Sequence, residues 1–270
     1  MVLWIVTSGG LFILLCALIR YHRKRQGLYA RLAQERTAHL AQHRPTLLAL
    51  PASAVCTAFA TERLIRVPQF VSAETLAHLR AEADASHGYI ERSYIPACKQ
   101  GGTLSYENLH TLAPHSLGMY HAEAMRQWVT AVVGTEVFPT CDHDQSSCVI
   151  LYYNRVGDHI GWHYDNNFYK GRRFTVLLAV HNQAADGGLS SGNLQYLGAE
   201  GQPITVDTSP NVLVLFEGTQ VRHCVTPVAQ GDVRVMLSMT YCTNPHLGRL
   251  QEVTRRLKDV GLYGLRALWD

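Results

Sequence analysis

Gly161-Trp-His163-Tyr-Asp165 sets an imidazole and a carboxylate two residues apart. In an extended segment alternate side chains share a face, so the two converge on one point. His223 follows in a later apolar run with the character of a strand. Two imidazoles and one carboxylate are the donor set that holds Fe(II) on one side and leaves three positions open. Two of those suit a chelating co-substrate and the third suits dioxygen. The pair alone carries little weight, because 14 His and 10 Asp in 270 residues supply about half of one His-x-Asp pair by chance. Hydrogen-bonded strand residues would explain it equally well.

The residues after His223 add to the case. Asp-Val-Arg234-Val-Met-Leu-Ser238-Met-Thr240 alternates, with Val233, Val235, Leu237, Met239 and Tyr241 on one face and Arg234, Met236, Ser238 and Thr240 on the other. A surface strand would look the same. If His223 points into a barrel, however, Arg234 on a neighbouring strand points there too. An enclosed arginine needs an anion, and its planar fork matches a carboxylate with two hydrogen bonds. The distal carboxylate of 2-oxoglutarate fits that role. Ser238, further along the same face, offers a hydroxyl donor.

On these residues the sequence resembles the Fe(II)/2-oxoglutarate-dependent dioxygenases of the prolyl-4-hydroxylase-like branch. The resemblance runs from about Leu64 to Thr243 and is densest after Leu151. It rests on Tyr153-Asn-Arg-Val-Gly157, His163-Tyr-Asp165, Arg173-Phe-Thr-Val-Leu-Leu and Gly187-Gly188 ahead of Leu194-Gln-Tyr196. Pro210-Asn-Val-Leu-Val-Leu-Phe216 and His223 with Val225, Pro227, Val228, Gly231 and Arg234 complete it. It implies a double-stranded β-helix core (jelly-roll or cupin-like), iron at His163, Asp165 and His223, and 2-oxoglutarate held by Arg234. Tyr153 resembles the tyrosine lining the co-substrate pocket. The implied cofactors are Fe(II), 2-oxoglutarate and O2, with ascorbate as a candidate reductant. Arg234 replaces the lysine of many collagen-type members, and nothing here resembles their peptide-binding segments, so prolyl hydroxylation is not implied. Asp165 is retained where related halogenases give up this carboxylate, which favours hydroxylation or desaturation.

Other polar residues near these motifs have plainer readings. His159 reads as a pocket-rim or surface histidine, because its segment has turn and strand character. Asp142-His143-Asp144 after Pro139 reads as a solvated loop. Asn166, Asn167, Tyr169 and Lys170 read either as the mouth of the site or as a surface loop.

These residues sit on a chain whose pattern changes along its length. Ser72 is a helix cap, with Leu76, Leu79 and Ala83 on one helical face. A second helix is expected over Ser116–Val133. Strands are expected at 148–155, 174–181, 193–197, 211–216, 221–227 and 232–242, with no helical pattern between them. Such closely spaced strands point to a closed or double-sheet antiparallel architecture, so the fold class is mostly β with flanking helices. The chain ends in an amphipathic helix from about Leu247, with Leu250, Val253 and Leu257 on one face.

The N-terminus departs from this soluble pattern. Val2–Ile19 is uncharged, and as a helix would span roughly 27 Å, close to the hydrocarbon thickness of a bilayer. Arg20-Tyr-His-Arg-Lys-Arg25 follows it, whereas a cleavable signal carries its positive charge ahead of the apolar run. The expected organisation is a transmembrane anchor over 1–19, a basic juxtamembrane helix and linker over 20–60, a dioxygenase domain over 61–245, and a C-terminal helix and tail over 246–270. By the positive-inside rule, this single-pass protein keeps its catalytic domain on the cytoplasmic side. Seven cysteines without a Cys-x-x-Cys pair speak against a disulfide framework or a structural zinc site.

The substrate expected is a small molecule, a lipid or a peptide. No nucleic acid is expected as a partner: the net charge is only +3, and position 240 carries threonine where nucleic-acid dealkylases of this superfamily carry a second arginine. That dealkylase reading, and a membrane-tethered module without turnover, are the alternatives to an oxygenase acting on a membrane-associated substrate.

Overall fold

The computed structural model describes residues 2–48, 51–142 and 144–263, apart from the side chains of 2–14, 18, 249 and 263. The chain opens with one continuous helix, α1 (Val2–Gln42). A 3-10 turn (Ala52–Ala54) and α2 (Cys56–Glu62) follow, in a stretch expected to be an irregular linker. Next come β1 (Leu64–Val67), α3 (Ala73–Ser86), a second 3-10 turn (His87–Tyr89), β2 (Glu91–Ile95) and β3 (Lys99–Leu104). Three short helices, α4 (Tyr106–Leu112), α5 (Pro114–His121) and α6 (Glu123–Val133), lead to β4 (Phe138–Pro139). The rest is β5 (Cys148–Tyr153), β6 (His159–His163), β7 (Arg173–Gln183), β8 (Leu194–Leu197), β9 (Pro203–Val206), β10 (Leu213–Phe216), β11 (His223–Val225), β12 (Val233–Cys242) and α7 (Arg249–Tyr263).

Every strand pairing is antiparallel, and β3 is the hinge of the architecture. Its residues 102–104 pair with β5, while Lys99 and Gln100 pair with β6. The chain of strands β1-β10-β7-β12-β5-β3 therefore passes at β3 into β6-β11-β8-β9, with β2 on the free side of β3. Leu177, Val214, Met236 and Tyr153 from the first group pack with Leu194, Val206 and Val225 from the second. Two sheets thus face each other in a near-barrel with a jelly-roll character. The outer face of the larger sheet is covered by helices: Leu79 of α3, Leu117 and Tyr120 of α5, and Val129 and Val132 of α6 pack against Ile150, Val176, Leu237 and Tyr241.

Ser72 caps α3 as expected, its Oγ accepting the Thr75 N–H at 3.1 Å. The single helix expected over 116–133 is two, because Ala122 takes an extended conformation between them. The periodicity runs on through this break since Leu117 and Tyr120 on one side and Val129 and Val132 on the other all serve one core. The β2–β3 hairpin was not expected at all.

Among the described residues no helix is long and apolar enough to cross a membrane. The anchor expected over 1–19 lies largely outside them, since residue 1 and the side chains of 2–14 and 18 are not described. Where α1 is described, residues 15–17, 19 and 20 are exposed, and the helix first becomes buried at Leu32.

Candidate metal and co-substrate site

β6 and β11 lie side by side with His163 opposite His223, so strand pairing brings together two imidazoles that are distant in sequence. Their ring centroids are 4.2 Å apart. Asp165 follows β6 directly, and its backbone N–H donates to the Gly218 carbonyl at 2.9 Å. Asp165 Oδ1 lies 3.6 Å from His163 Nε2 and 3.8 Å from His223 Nε2. One donor atom from each of the three residues falls within 4.8 Å of the others, close enough for one ion about 2.1 Å from each to be shared. No other trio of His, Cys, Asp or Glu among the described residues meets this condition.

The surroundings fix how these groups point. His163 Nδ1 is 2.9 Å from the Gly161 carbonyl and His223 Nδ1 is 2.9 Å from the Val221 carbonyl. A carbonyl only accepts, so both rings carry their proton on Nδ1 and turn a bare Nε2 toward Asp165. Arg173 Nη1 is 3.1 Å from Asp165 Oδ2, and Thr175 Oγ1 donates to the same oxygen. Burial works against the charge on Asp165, but Arg173 first, and the Thr175 hydroxyl, hold its pKa well below the ordinary carboxylate range. His223 is shifted the other way: burial lowers its pKa and keeps the ring neutral. His163 is buried too, yet Asp165 and the Gly161 carbonyl more than offset this and raise its pKa.

Gly218 is part of this construction. A Cβ there would meet the Asp165 carboxylate at 2.0 Å, so only glycine lets the carboxylate approach the backbone this closely. Neither Gly218 nor Thr175 stood out in the sequence, where each is one small residue among many. Arg173 was visible only as part of the family-like run.

Arg234 lies on the inner face of β12, opposite Tyr153 of β5. It is 1% exposed, and its Nε and Nη2 have no hydrogen-bond partner among the described residues. Its Cζ sits 5.0 Å from the centre of the Tyr153 ring, and burial pushes the Tyr153 hydroxyl up to about 12. Gly192 closes over the arginine: a Cβ there would lie 3.2 Å from Arg234 Cδ. Ser238 shares this inner face, two positions beyond Met236 and opposite Leu177. Four residues of strand, roughly 13 Å, separate it from Arg234, so the two side chains do not form one clamp. Ser238 falls between Arg234 and Thr240, whose partner across β7 is the Asp165-bonding Thr175.

The same face extends onto the unexpected hairpin. Lys99 pairs with Ile160 and Thr103 pairs with Leu151, and paired residues point to the same side. Thr103 Oγ1 and Ser93 Oγ are buried without partners among the described residues. Burial first, and Lys258 second, lower the Lys99 pKa to about 8. Nothing in the composition of this segment marked it as lining an interior.

The remaining candidates have structural jobs. His159 Nδ1 is 2.7 Å from the Gly157 carbonyl and the side chain takes no part in the metal trio. Asp142 and Asp144, expected in a solvated loop, are tied into the protein; His143 lies outside the described residues. Arg36 of α1 reaches Asp142 Oδ1 at 2.6 Å, and Lys258 of α7 reaches Asp144 Oδ1 at 3.1 Å. The terminal helices bring these cations from far away in sequence, which a local reading could not anticipate. Tyr169 is buried and donates to Asp144 Oδ2 at 2.7 Å, while Asn167 forms a turn with Tyr169 N and Gly171 O.

Residues 148–241 match the model of the 2OG-Fe(II) oxygenase superfamily. No curated protein matches the sequence. Among solved structures, a prolyl-4-hydroxylase from Pseudomonas putida aligns over 71% of this chain and 97% of its own, at 16% identity and a TM-score of 0.55. A prolyl hydroxylase from Trichoplax adhaerens, in complex with a hypoxia inducible factor oxygen degradation domain peptide fragment, aligns over 75% and 91%, at 12% identity and 0.58. The alpha ketoglutarate dependent epimerase SnoN from nogalamycin biosynthesis aligns over 71% and 80%, at 12% identity and 0.59. Identities this low speak to a shared fold.

Proposed function

Proceeding from a chain whose residues 148–241 are those of a 2OG-Fe(II) oxygenase, a superfamily that uses Fe(II), 2-oxoglutarate and O2, we propose a membrane-anchored enzyme that hydroxylates or desaturates a membrane-associated substrate. His163, Asp165 and His223 hold the iron, and Arg234 receives the distal carboxylate of 2-oxoglutarate. The observation that carries this reading is the trio of donors facing one point, with both imidazole protons committed to backbone carbonyls on the far side. When bound, iron supplies the oxidation coupled to decarboxylation of 2-oxoglutarate; the protein's part is binding, orientation and exclusion of water.

Each residue then has a definite task. Arg173 and Thr175 hold Asp165 ionised and aimed at the two rings. Arg234 brings a buried positive charge with free donors, which a carboxylate satisfies and water cannot easily reach. Tyr153 stacks beside it and offers its hydroxyl to the same ligand. Ser238 lies between the two ends of this face and donates to the bound co-substrate. Retention of Asp165 is what favours hydroxylation or desaturation. The complete donor set argues against a silent binding module, and Thr240 in place of a second arginine argues against a nucleic-acid dealkylase.

For the anchor, the support is the uncharged run Val2–Ile19 followed by Arg20, Arg23, Lys24 and Arg25. The exposure of residues 15–17, 19 and 20 on α1 agrees with a helix that leaves the catalytic body there. The charge order puts the catalytic domain on the cytoplasmic side.

Anaerobic Fe(II) titration followed by succinate release, with and without His163→Ala, tests the central claim. One equivalent of iron bound by the native chain, and both signals lost in the variant, is the expected result. Succinate release that survives His163→Ala would overturn it.

A further inference from the structure

The C-terminal helix is packed the wrong way round for a surface helix. Among the described side chains of α7 the exposed positions are Leu250, Gln251, Val253, Thr254, Leu257 and Gly261, and none of these carries a charge. Leu250, Val253 and Leu257 are 75%, 55% and 65% exposed. The charged side chains turn inward or sideways instead. Arg255 and Asp259 are buried and paired at 2.5 Å, and Lys258 reaches both Asp144 and Asp259. An ordinary amphipathic helix buries its apolar stripe and solvates its charges. Here an ion network holds the helix down and the apolar stripe faces out.

Its neighbour says what covers that stripe. Glu252 lies 3.8 Å from Arg25 and Arg256 reaches the Tyr21 hydroxyl at 3.5 Å, so α7 runs antiparallel to α1 toward its N-terminal end. There Leu15 and Ile19 are exposed, and the exposed cations Arg20, Arg23 and Lys24 follow at once. Outward apolar side chains beside a cluster of exposed cations match a bilayer surface bearing anionic headgroups. We propose that the outward face of α7 docks on the anionic membrane surface beside the point where α1 enters it. The docked helix is continuous with the site: Lys258 lies over Phe168 at 5.5 Å, and Lys170 N donates to the His246 carbonyl at 3.1 Å, just beyond the metal-ligand segment. The proposal rests on the anchor reading for its geometry, and the test separates the two.

The full chain, with exposed Cys16 and Cys98 replaced by Ser, is reconstituted into phosphatidylcholine–phosphatidylglycerol vesicles. An environment-sensitive fluorophore is placed singly by Leu15→Cys, Val253→Cys, Leu257→Cys or, as a control in the β8–β9 turn, Glu200→Cys. Nitroxide lipids spin-labelled near the headgroup or deep in the acyl chain serve as quenchers. The expected result is a blue shift and headgroup-level quenching at 253 and 257, deep quenching at 15, and neither at 200. The shift at 253 and 257 should shrink when phosphatidylglycerol is left out. Water-like emission at 253 and 257 with deep quenching at 15 overturns the docking and leaves the anchor standing. Quenching at 253 and 257 without it at 15 overturns the anchor and leaves the docking. A blue shift at 253 and 257 already present in detergent, with energy transfer between copies, overturns the docking in favour of a self-association surface.

Discussion

Two arginines are equally buried, at 1% exposure each, and they are partnered in opposite ways. Arg255 of α7 is surrounded by acids: Asp259 at 2.5 Å, Glu252 at 3.1 Å, and the field of Asp144 nearby. Arg234 of β12 meets no acid, and two of its nitrogens have no acceptor among the described residues. Burial costs a charge several kcal/mol unless something compensates it. In the C-terminal helix the protein supplies that compensation from its own chain. In the barrel it does not, which leaves the compensation to a ligand. One arginine is a structural tie, and the other, in the proposed site, is half of a binding interaction.

Replacement by methionine should separate them. Arg255→Met leaves Asp259 and Asp144 sharing Lys258, one cation for two buried acids, so unfolding free energy should fall by about 2–4 kcal/mol in denaturant titrations. Arg234→Met removes a charge that nothing repays in the ligand-free protein, so its ligand-free stability should stay level or rise. Equal destabilisation by both would erase the distinction.

The second test reads binding rather than stability. Arg234→Met should weaken 2-oxoglutarate binding by about 2–4 kcal/mol, roughly 30- to 1000-fold, while Arg255→Met leaves it near native in the folded fraction. Arg234→Lys keeps the charge without the planar fork and should fall between. Calorimetry with Fe(II) replaced by a redox-silent divalent ion measures this without turnover.

Arg173 is intermediate between the two types, since it pairs with Asp165 inside the proposed site. Arg173→Leu should lower Fe(II) affinity roughly 10- to 100-fold by freeing the carboxylate it orients. Native affinity in that variant would mean that Thr175 and the Gly218 contact suffice to aim Asp165.

The contrast between the arginines also explains what could be read from the sequence. Strands β5, β7, β10 and β12 were legible because their helix-covered face is apolar at every second position. Arg234 was legible because it alternates with a clean apolar face along its strand and follows a histidine at family-like spacing. The β2–β3 hairpin was invisible for the complementary reason: its inner positions Ser93, Lys99 and Thr103 face a polar interior, so no apolar alternation remains to betray a strand. The roles of Asp142 and Asp144 were illegible too, because their partners Arg36 and Lys258 come from opposite ends of the chain. Gly218 carries its meaning only in three dimensions, as the place where a Cβ would collide with Asp165.

The smallest predicted effect extends the same contrast to histidines. His163 has Asp165 beside it, and its pKa is raised. His121 has no carboxylate partner among the described residues; burial first, then Arg36 and His110, push its pKa down to about 3, and its Nε2 lies 2.9 Å from the Tyr106 hydroxyl. Below pH 6.5 the unfolded chain therefore takes up a proton at His121 that the folded chain refuses. The stability that this neutral ring contributes is complete above pH 6.5 and is lost as the pH falls toward 3, at up to about 1.4 kcal/mol per unit. His121→Phe removes that proton from the balance, and Tyr106 keeps its bond to Asp142. The gap in unfolding free energy between the native chain and His121→Phe should close progressively from pH 7 to pH 5 in urea titrations, in favour of the variant at the acid end. Curves that stay parallel over that range would mean that the buried ring takes up its proton without a change in stability, and that its lack of an acid partner carries no energetic weight.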